Sequence, residues 1–336
     1  CYLPSFNYRP GGSAQYGLAI SNFDEGNLSR FNFGFIASSD NHRARPGTGY
    51  KEIDRFVTTE ANGPSNDYVA DILYPVDEAA DRSIDLRESP LLGLRSGFGS
   101  FEAEREASFF TTGGLAAVHA DGRDRSSIWE GLSSKETYGT SGDRILLWFD
   151  LVDSELISPM GSTVSRTDNP KFRVKAVGAF KQKPGCPDYS STGITQEEIE
   201  RICKNECYNP SDVRKNISRI EVIKITPQIY QDESLQGLIK DSWKTFDCKP
   251  SQQGCEIEFS DEDFSSSNRD TIYYVRAIQE PSPVVNGGNL RCTFNEQGEC
   301  IKVNICYGDS RTDKDDDCLT LSEERAWSSP IYINFG

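Results

Sequence analysis

Asp40 and His42 are the residues of this chain with the clearest potential for metal chemistry, because a carboxylate and an imidazole stand two positions apart. They follow the short apolar run 33–37, whose composition predicts a strand covered on both faces. If extended backbone continues through the motif, both side chains project to the same side. The spacing then allows both residues to bind one cation, although an Asp-x-His in a loop also forms local hydrogen-bonded pairs.

The sequence limits how such a metal site can be completed. His42 and His119 are the only two histidines, and no Cys-x-x-Cys pair of zinc-ribbon spacing occurs. A catalytic zinc site usually has three protein ligands and one open position for water. At least one further ligand must therefore come from elsewhere.

Basic groups close to this motif predict a site for an anionic substrate. Arg43, Arg45 and Lys51 follow within nine residues of His42, and a guanidinium fork matches the oxygens of phosphate or sulfate. The alternative is a solvated basic loop. His119 follows a Gly-Gly turn and an apolar run, which allows a substrate-binding role or a packed histidine at the end of a strand.

A second candidate cation site lies near the C-terminus, where carboxylates crowd one loop. Oxygen-rich loops of this kind can bind calcium. The order does not match an EF-hand, and the alternative is a solvated acidic loop tied by Cys306 and Cys318. The predicted calcium ligands are Asp309, Asp313, Asp315, Asp316 and Asp317.

Alternating polar and apolar residues dominate the C-terminal half and predict an antiparallel β-sandwich. Helices are predicted over 14–20, from Asp124 onward and over 195–204, where Thr195 and Glu198 have capping-box spacing. Residues 58–99 resemble a long irregular insertion, either a cover over a site or a plain surface excursion. The predicted strands are 144–152, 171–180, 217–225, 255–259, 271–278 and 329–335, with Trp243, Trp327, Tyr273 and Tyr274 as packing aromatics.

Ten cysteines are present, and nine of them lie at or after Cys186. This clustering indicates short disulfide-closed loops and an oxidising compartment, so a periplasmic or extracellular protein is expected. A thiolate metal site is disfavoured by the spacings. The spacings predict the pairs Cys203/Cys207, Cys248/Cys255, Cys292/Cys300 and Cys306/Cys318, and leave Cys1 and Cys186 to pair with each other or with missing partners.

Length and charge narrow the range of functions. A chain of 336 residues predicts two domains. A net charge of -16 argues against extended nucleic-acid binding, and no apolar stretch is long enough for a transmembrane helix. The chain begins at Cys1 without methionine or a signal-peptide pattern, which is consistent with processing or truncation.

Several sequence motifs, spread over nearly the whole chain, resemble a known family. These are Tyr8-Arg-Pro-Gly-Gly-Ser-Ala-Gln-Tyr16, the segment 34–52 around Asp40 and His42, Thr112-Gly-Gly-Leu-Ala-Ala-Val-His119, Ile128-Trp-Glu-Gly-Leu132, Tyr138-Gly-Thr-Ser-Gly-Asp-Arg-Ile145 and Arg325-Ala-Trp-Ser-Ser-Pro-Ile331. The sequence resembles the PHP (polymerase and histidinol phosphatase) superfamily of metal-dependent phosphoesterases, and within it the large secreted bacterial branch filed as domain of unknown function 3604.

The resemblance implies a fold and a site. Residues 1–143 are expected to be the C-terminal part of a PHP-type distorted β/α barrel, and residues 144–336 a β-sandwich with cysteine-rich insertions. The family's last metal-binding motif is an Asp-x-His, which matches Asp40 and His42. The earlier His-x-His motif has no counterpart before Asp40, so the expectation is that a missing N-terminal segment of the same protein carries most ligands.

The resemblance also implies the chemistry, which is hydrolysis of phosphoesters or related small anionic esters by water activated on divalent transition metal ions such as zinc, manganese or iron. The alternative is a non-catalytic extracellular protein that retains the fold for a structural or binding role. A carbohydrate-binding sandwich is a third possibility, and a homo-oligomer is compatible with each.

Overall fold

The structure is a computed structural model that describes residues 13–24, 28–38, 114–153, 156–203, 205–306, 312–313 and 315–336. Within these ranges the regular secondary structure is mostly β-strand, as the sequence predicts, with few helices. None of the described helices has both the length and the apolar character needed to span a membrane.

The larger of two main sheets has eight strands among the described residues, in the order β12-β11-β14-β19-β4-β3, with β20 paired to both β14 and β7. All pairs are antiparallel except β20 with β7. All nine residues of β14 are buried, which marks it as the central strand. The strands are β3 (Leu115–Val118), β4 (Thr137–Thr140), β7 (Thr163–Arg166), β11 (Ile217–Ile225), β12 (Ile239–Asp247), β14 (Thr271–Gln279), β19 (Arg325–Ser328) and β20 (Ile331–Phe335).

The smaller sheet has four strands in the order β13-β8-β5-β6 and packs face to face against the larger one. Buried residues alternate along its two central strands, so one face of each points into the core. The shared core includes Phe149 and Phe172 from the smaller sheet and Tyr273 and Val275 from the larger. The strands are β5 (Leu146–Val152), β6 (Ile157–Pro159), β8 (Lys171–Val177) and β13 (Cys255–Ser260). The predicted β-sandwich is therefore present.

The outer face of the larger sheet is also covered. Helix α1 (Ala14–Ala19) and the side chains of Phe33 and Phe35 pack on a second apolar cluster that includes Ile223 and Tyr274. Because both faces of β11 and β14 are packed, these strands contain consecutive buried residues instead of buried residues at alternate positions. The N-terminal segment is thus an integral layer of the fold.

The other helices begin where the sequence provides a cap. Helix α2 (Arg125–Ser133) follows Asp124, whose carboxylate accepts hydrogen bonds from two backbone N–H groups at 3.0 Å. Helix α3 (Gln196–Cys203) begins with the predicted capping box, in which Thr195 and Glu198 exchange hydrogen bonds. The two short helices are α4 (Phe264–Ser267) and α5 (Gly287–Arg291). Two small antiparallel pairs lie outside the main sheets, namely β15 (Ser282–Val285) with β18 (Leu319–Ser322) and β16 (Thr293–Phe294) with β17 (Cys300–Lys302).

Among the described residues, four disulfides close loops in the C-terminal half of the chain, between Cys186 and Cys207, Cys248 and Cys255, Cys292 and Cys300, and Cys306 and Cys318. Three of these pairs are the predicted ones. The prediction of Cys203 with Cys207 is wrong because Cys207 pairs with Cys186, which also excludes a Cys1–Cys186 pair. The short spacing of Cys203 and Cys207 favoured a disulfide between them. Instead, strand β9 (Phe180–Gln182) pairs with β10 (Pro210–Arg214), and this pairing brings the two ends of the segment 183–209 together.

The prediction of a doubly buried strand over 33–37 is also wrong. These residues form no strand, and Ile36 is 68% exposed. Side chains of the sandwich, rather than a neighbouring strand, satisfy the backbone of this segment at Phe33 and Phe35. An apolar run is compatible with either arrangement.

Among the described residues up to position 143, no parallel β/α repeat of a barrel occurs. The strand pairs β1 (Ser21–Asn22) with β2 (Ser29–Arg30), and β3 with β4, are antiparallel. Strands β3 and β4 belong to the larger sheet of the sandwich, so the sheet continues across the predicted boundary near Asp143. The division into domains stays a prediction.

Candidate functional site

The predicted metal ligands Asp40 and His42 lie outside the described residues, together with Arg43, Arg45 and Lys51. The insertion 58–99 does so as well. The structure describes the segment that precedes this motif, up to Ser38, and the chain that follows from Gly114. The candidate site is therefore built from these two segments and from the sheet beneath them.

The segment before Asp40 is fixed to the sandwich by side-chain hydrogen bonds. The hydroxyl of Tyr332 accepts from the backbone N–H of Phe33 at 2.9 Å and donates to its carbonyl at 2.8 Å. Ser329 Oγ accepts from the N–H of Phe35 at 2.8 Å. Three backbone groups are thus bound by side chains in β20 and just before it, which fixes the position of the segment on the sheet.

Glycines allow this segment to lie close to its neighbours. A methyl group on Gly139 of β4 would come within 2.8 Å of the Ala37 side chain, and one on Gly114 within 2.5 Å of the Ser38 carbonyl oxygen. Only residues without a side chain permit such an approach. The contact between Ser38 and Gly114 places the two described segments that flank 39–113 side by side.

A cavity of about 350 Å³ opens beside Ala37, between α1, this segment and the outer face of the larger sheet. Its apolar wall includes Phe35 and Trp327, and its polar groups come from Gln15, Tyr274 and Arg276. Cavities with apolar walls and a few convergent polar groups are the usual form of small-molecule sites.

The polar side of this cavity is a connected network. The amide nitrogen of Gln15 donates to Asp241 at 2.7 Å and to the hydroxyl of Tyr274 at 2.8 Å. Arg276 forms ion pairs with Glu221 at 2.7 Å and Asp241 at 3.0 Å. Two carboxylates surround one guanidinium, so this wall does not favour an anionic ligand.

The protonation states of the network follow from its geometry. Burial raises the pKa of Tyr274 to about 12, against the effect of the Gln15 hydrogen bond, so the hydroxyl stays protonated. Burial opposes the charge of Arg276, but the carboxylates of Asp241 and Glu221 outweigh it and raise the pKa of the guanidinium. The cavity wall therefore keeps its hydrogen bonds over the physiological pH range.

Sequence reasoning missed this network. The sequence favours a packing role over a sugar-stacking role for Tyr274 and Trp327, and it assigns no role to Arg276 or Gln15. One signal was available: Arg276 is a charged residue in the middle of the apolar run 271–278, and a buried charge requires partners. The identity of those partners, Glu221 and Asp241, depends on strand pairing.

His119 is held by packing contacts. Its Nε2 lies 2.8 Å from the carbonyl oxygen of Leu147, and its ring contacts the rings of Tyr138 and Trp148. These contacts are those expected of a packed histidine at the end of a strand, here β3. Its predicted role in substrate binding is not tested by them and stays a prediction.

The described part of the acidic loop uses its carboxylates locally. Asp316 forms an ion pair with Arg291 at 2.7 Å and accepts from the N–H of Cys318. Asp313 and Asp317 accept backbone N–H groups at 3.0 and 2.9 Å. Asp309 lies outside the described residues, Asp315 is described and exposed, and the calcium site stays a prediction.

Thiolate ligation is excluded at one place where ligand atoms converge. Cys306, Asp316 and Cys318 bring their ligand atoms within 4.8 Å of one another. The two sulfur atoms form a disulfide, however, and a disulfide has no thiolate to offer. Among the described residues this cluster is therefore part of the disulfide-closed loop.

One of three comparisons with known proteins found a match. Searches of curated proteins and of solved structures gave no significant match. The family model described as protein of unknown function (DUF3604) matches residues 13–150, a range that contains α1, Asp40, His42 and the Gly114 and Gly139 contacts. Over these residues the chain is similar to this family, as its motifs predict.

Proposed function

We propose that this protein is a metal-dependent hydrolase of the PHP type that cleaves phosphoesters or related small anionic esters. The observation that carries the proposal is the pair Asp40 and His42, which stands inside the region similar to the family of unknown function. A carboxylate and an imidazole at this spacing suit zinc, manganese or iron.

The proposed metal ligands and the main substrate-binding residues come from one stretch of sequence, residues 40–51. Asp40 and His42 bind the metal, and other residues must complete its shell because catalytic sites usually have at least three protein ligands. Divalent ions supply a water of lowered pKa and offset charge on the ester oxygens. Arg43, Arg45 and Lys51 bind the anionic group of the substrate, and His119 is a further candidate for this role.

The structure supports this proposal in one respect. The segment that leads to Asp40 is fixed by Tyr332 and Ser329, and it lies against Gly114 at its end. Sites anchored to a rigid scaffold hold their ligands more accurately than sites on free loops.

The four disulfides support a periplasmic or extracellular location, where oxidising conditions preserve them.

The experiment uses the natively purified protein. Its metal content is measured by elemental analysis, and hydrolysis of nitrophenyl phosphate monoesters and diesters is followed with and without chelator. We expect bound transition metal, loss of activity with the chelator and recovery when zinc or manganese is returned.

Matched variants assign the ligands. Asp40→Asn and His42→Asn should reduce the metal content and lower the activity by more than about 100-fold, because loss of even a residue that only hydrogen-bonds a metal ligand costs roughly 10–100-fold in affinity or activity. Asp121→Asn, at an exposed aspartate of the same region, should change neither. Protein that holds no metal and hydrolyses no ester would overturn the proposal and favour the non-catalytic alternative.

A further inference from the structure

A lysine, an aspartate and a tyrosine meet in the core between the two sheets. Lys224 is 5% exposed, and Asp261 and Tyr273 are each 0% exposed. The ammonium nitrogen of Lys224 contacts Asp261 Oδ2 as an ion pair. The hydroxyl of Tyr273 donates to the same oxygen at 2.5 Å.

The strand register explains why these groups converge. Lys224 of β11 and Tyr273 of β14 are directly opposite in the larger sheet, and opposite residues of neighbouring strands project from the same face. Asp261 follows the last residue of β13 in the smaller sheet, and its N–H is bound by the carbonyl of Pro170 at 3.2 Å. The Lys224–Asp261 contact therefore joins the two sheets across the core.

The surroundings of this contact are aromatic. The Trp243 ring centroid lies 5.0 Å from Lys224 Nζ, and the Phe172 ring packs 4.8 Å from that of Tyr273. Keeping two opposite charges in such a place carries a large desolvation cost, which their mutual attraction must offset. An amide between the two side chains carries no charge, so its formation removes this cost.

We propose that Lys224 and Asp261 condense to an isopeptide bond that covalently joins the two sheets. A proton first passes from the ammonium to the carboxylate, which leaves an amine and a carboxylic acid. The Nζ lone pair then attacks Cγ of Asp261, the Nζ–Cγ bond forms, and a Cγ–O bond breaks. The departing hydroxyl takes a proton from Nζ and leaves as water, so no oxidant or reductant is required.

Two hydrogen-bond donors are arranged to assist this step. Tyr273 donates to Oδ2, and the backbone N–H of Asp263 donates to Oδ1 at 3.1 Å. Donors at both oxygens stabilise the negative charge that develops when the amine adds to the carboxyl carbon. Burial and the neighbouring Asp261 charge raise the pKa of Tyr273, so its hydroxyl remains a donor.

The test is mass spectrometry of the full chain after reduction and alkylation of its cysteines. Protease digestion should yield a branched peptide that joins the segment containing Lys224 to the segment containing Asp261. Its mass should be lower than the sum of the two by one water molecule, and cleavage after Lys224 should be blocked. Two separate linear peptides of unchanged mass would overturn the proposal.

Variants make the assignment specific. Lys224→Met removes the amine but keeps a long side chain, and should abolish both the branched peptide and the loss of water. The matched control is Lys215→Met, because Lys215 is paired with Asp143 at 3.0 Å in a second buried ion pair. That variant should retain the branched peptide, and its loss there would contradict the assignment.

Discussion

The hydroxyl of Tyr332 binds both backbone polar groups of Phe33, accepting from the N–H at 2.9 Å and donating to the carbonyl at 2.8 Å. One side chain of β20 thus replaces a neighbouring strand for a residue 299 positions earlier in the chain. This contact connects the segment 28–38, which lies in the region similar to the family of unknown function, with the C-terminal strand of the sandwich. The two parts are consequently expected to unfold together.

Tyr332→Phe should lower the free energy of unfolding by about 1–3 kcal/mol, because it leaves backbone groups of Phe33 without partners in a half-buried place. Burial raises the pKa of Tyr332 to about 12, so the wild-type contact persists at neutral pH. Urea denaturation measures the change. Tyr230→Phe is the control, because Tyr230 is 59% exposed and should tolerate the substitution. Equal stability of both variants would contradict the role given to Tyr332.

Two glycine-to-alanine variants should act in opposite directions. Gly139→Ala places a methyl group 2.8 Å from the Ala37 side chain and 3.0 Å from its backbone nitrogen, so the segment 33–38 must shift. We expect a loss of about 1–3 kcal/mol, as in other overpacked cores. Gly17→Ala in α1 meets only the Phe33 ring at 3.9 Å, and should stabilise by about 0.5–1 kcal/mol through helix propensity. Thermal denaturation distinguishes the two.

Glu324 should make stability depend on pH. Burial, together with the nearby Asp143 carboxylate, raises its pKa to about 7, against the hydrogen bond from Ser141 and the charge of Lys215. The folded state therefore holds this proton more tightly than the unfolded state. The contribution of Glu324 to stability is greatest below its ordinary pKa near 4.5 and is lost as pH rises through about 7.

Glu324→Gln should leave stability nearly unchanged at pH 5 and increase it by roughly 1–3 kcal/mol at pH 8, because the neutral amide avoids the buried charge. Denaturation at both pH values measures this difference. Glu323→Gln is the matched control with the opposite sign, since the hydrogen bond from Arg219 lowers the pKa of Glu323. A Glu324→Gln effect of equal size at both pH values would show that Glu324 is already charged at pH 5.

The four disulfides should differ in their resistance to mild reduction. Cys306 and Cys318 are both 0% exposed, whereas the cysteines of the other three pairs are half-buried. Thiol–disulfide exchange requires access of the attacking thiolate, so Cys306–Cys318 should be reduced last. Sequential alkylation with light and heavy reagents, read by mass spectrometry, gives the order. Earlier labelling of Cys306 than of Cys292 would contradict this prediction.

Local patterns in the sequence predicted much of the fold. Alternation identified strands such as β8 and β13, the Asp124 and Thr195 caps located α2 and α3, and short spacing identified three disulfides. These features depend on neighbouring residues, whose periodicity and capping chemistry are local. The motifs also predicted the similarity to the family of unknown function, which the match over residues 13–150 confirms.

Contacts between distant residues could not be predicted in the same way. The apolar run 33–37 looked like a buried strand, yet its backbone is bound by Tyr332 and Ser329. Cys207 pairs with Cys186 because the pairing of β9 with β10 brings the ends of the segment 183–209 together. The partners of Arg276 follow from strand register as well.

The sequence by itself determined most element types, the β-rich class, the acidic and disulfide-stabilised character of the chain and the candidate ligands Asp40 and His42. Only the tertiary structure decided that Lys224, Asp261 and Tyr273 share one buried site, and that Ser38 meets Gly114. The reason is physical: periodicity and caps act over a few residues, whereas pairings across the sandwich depend on how the two sheets pack and on the register of their strands.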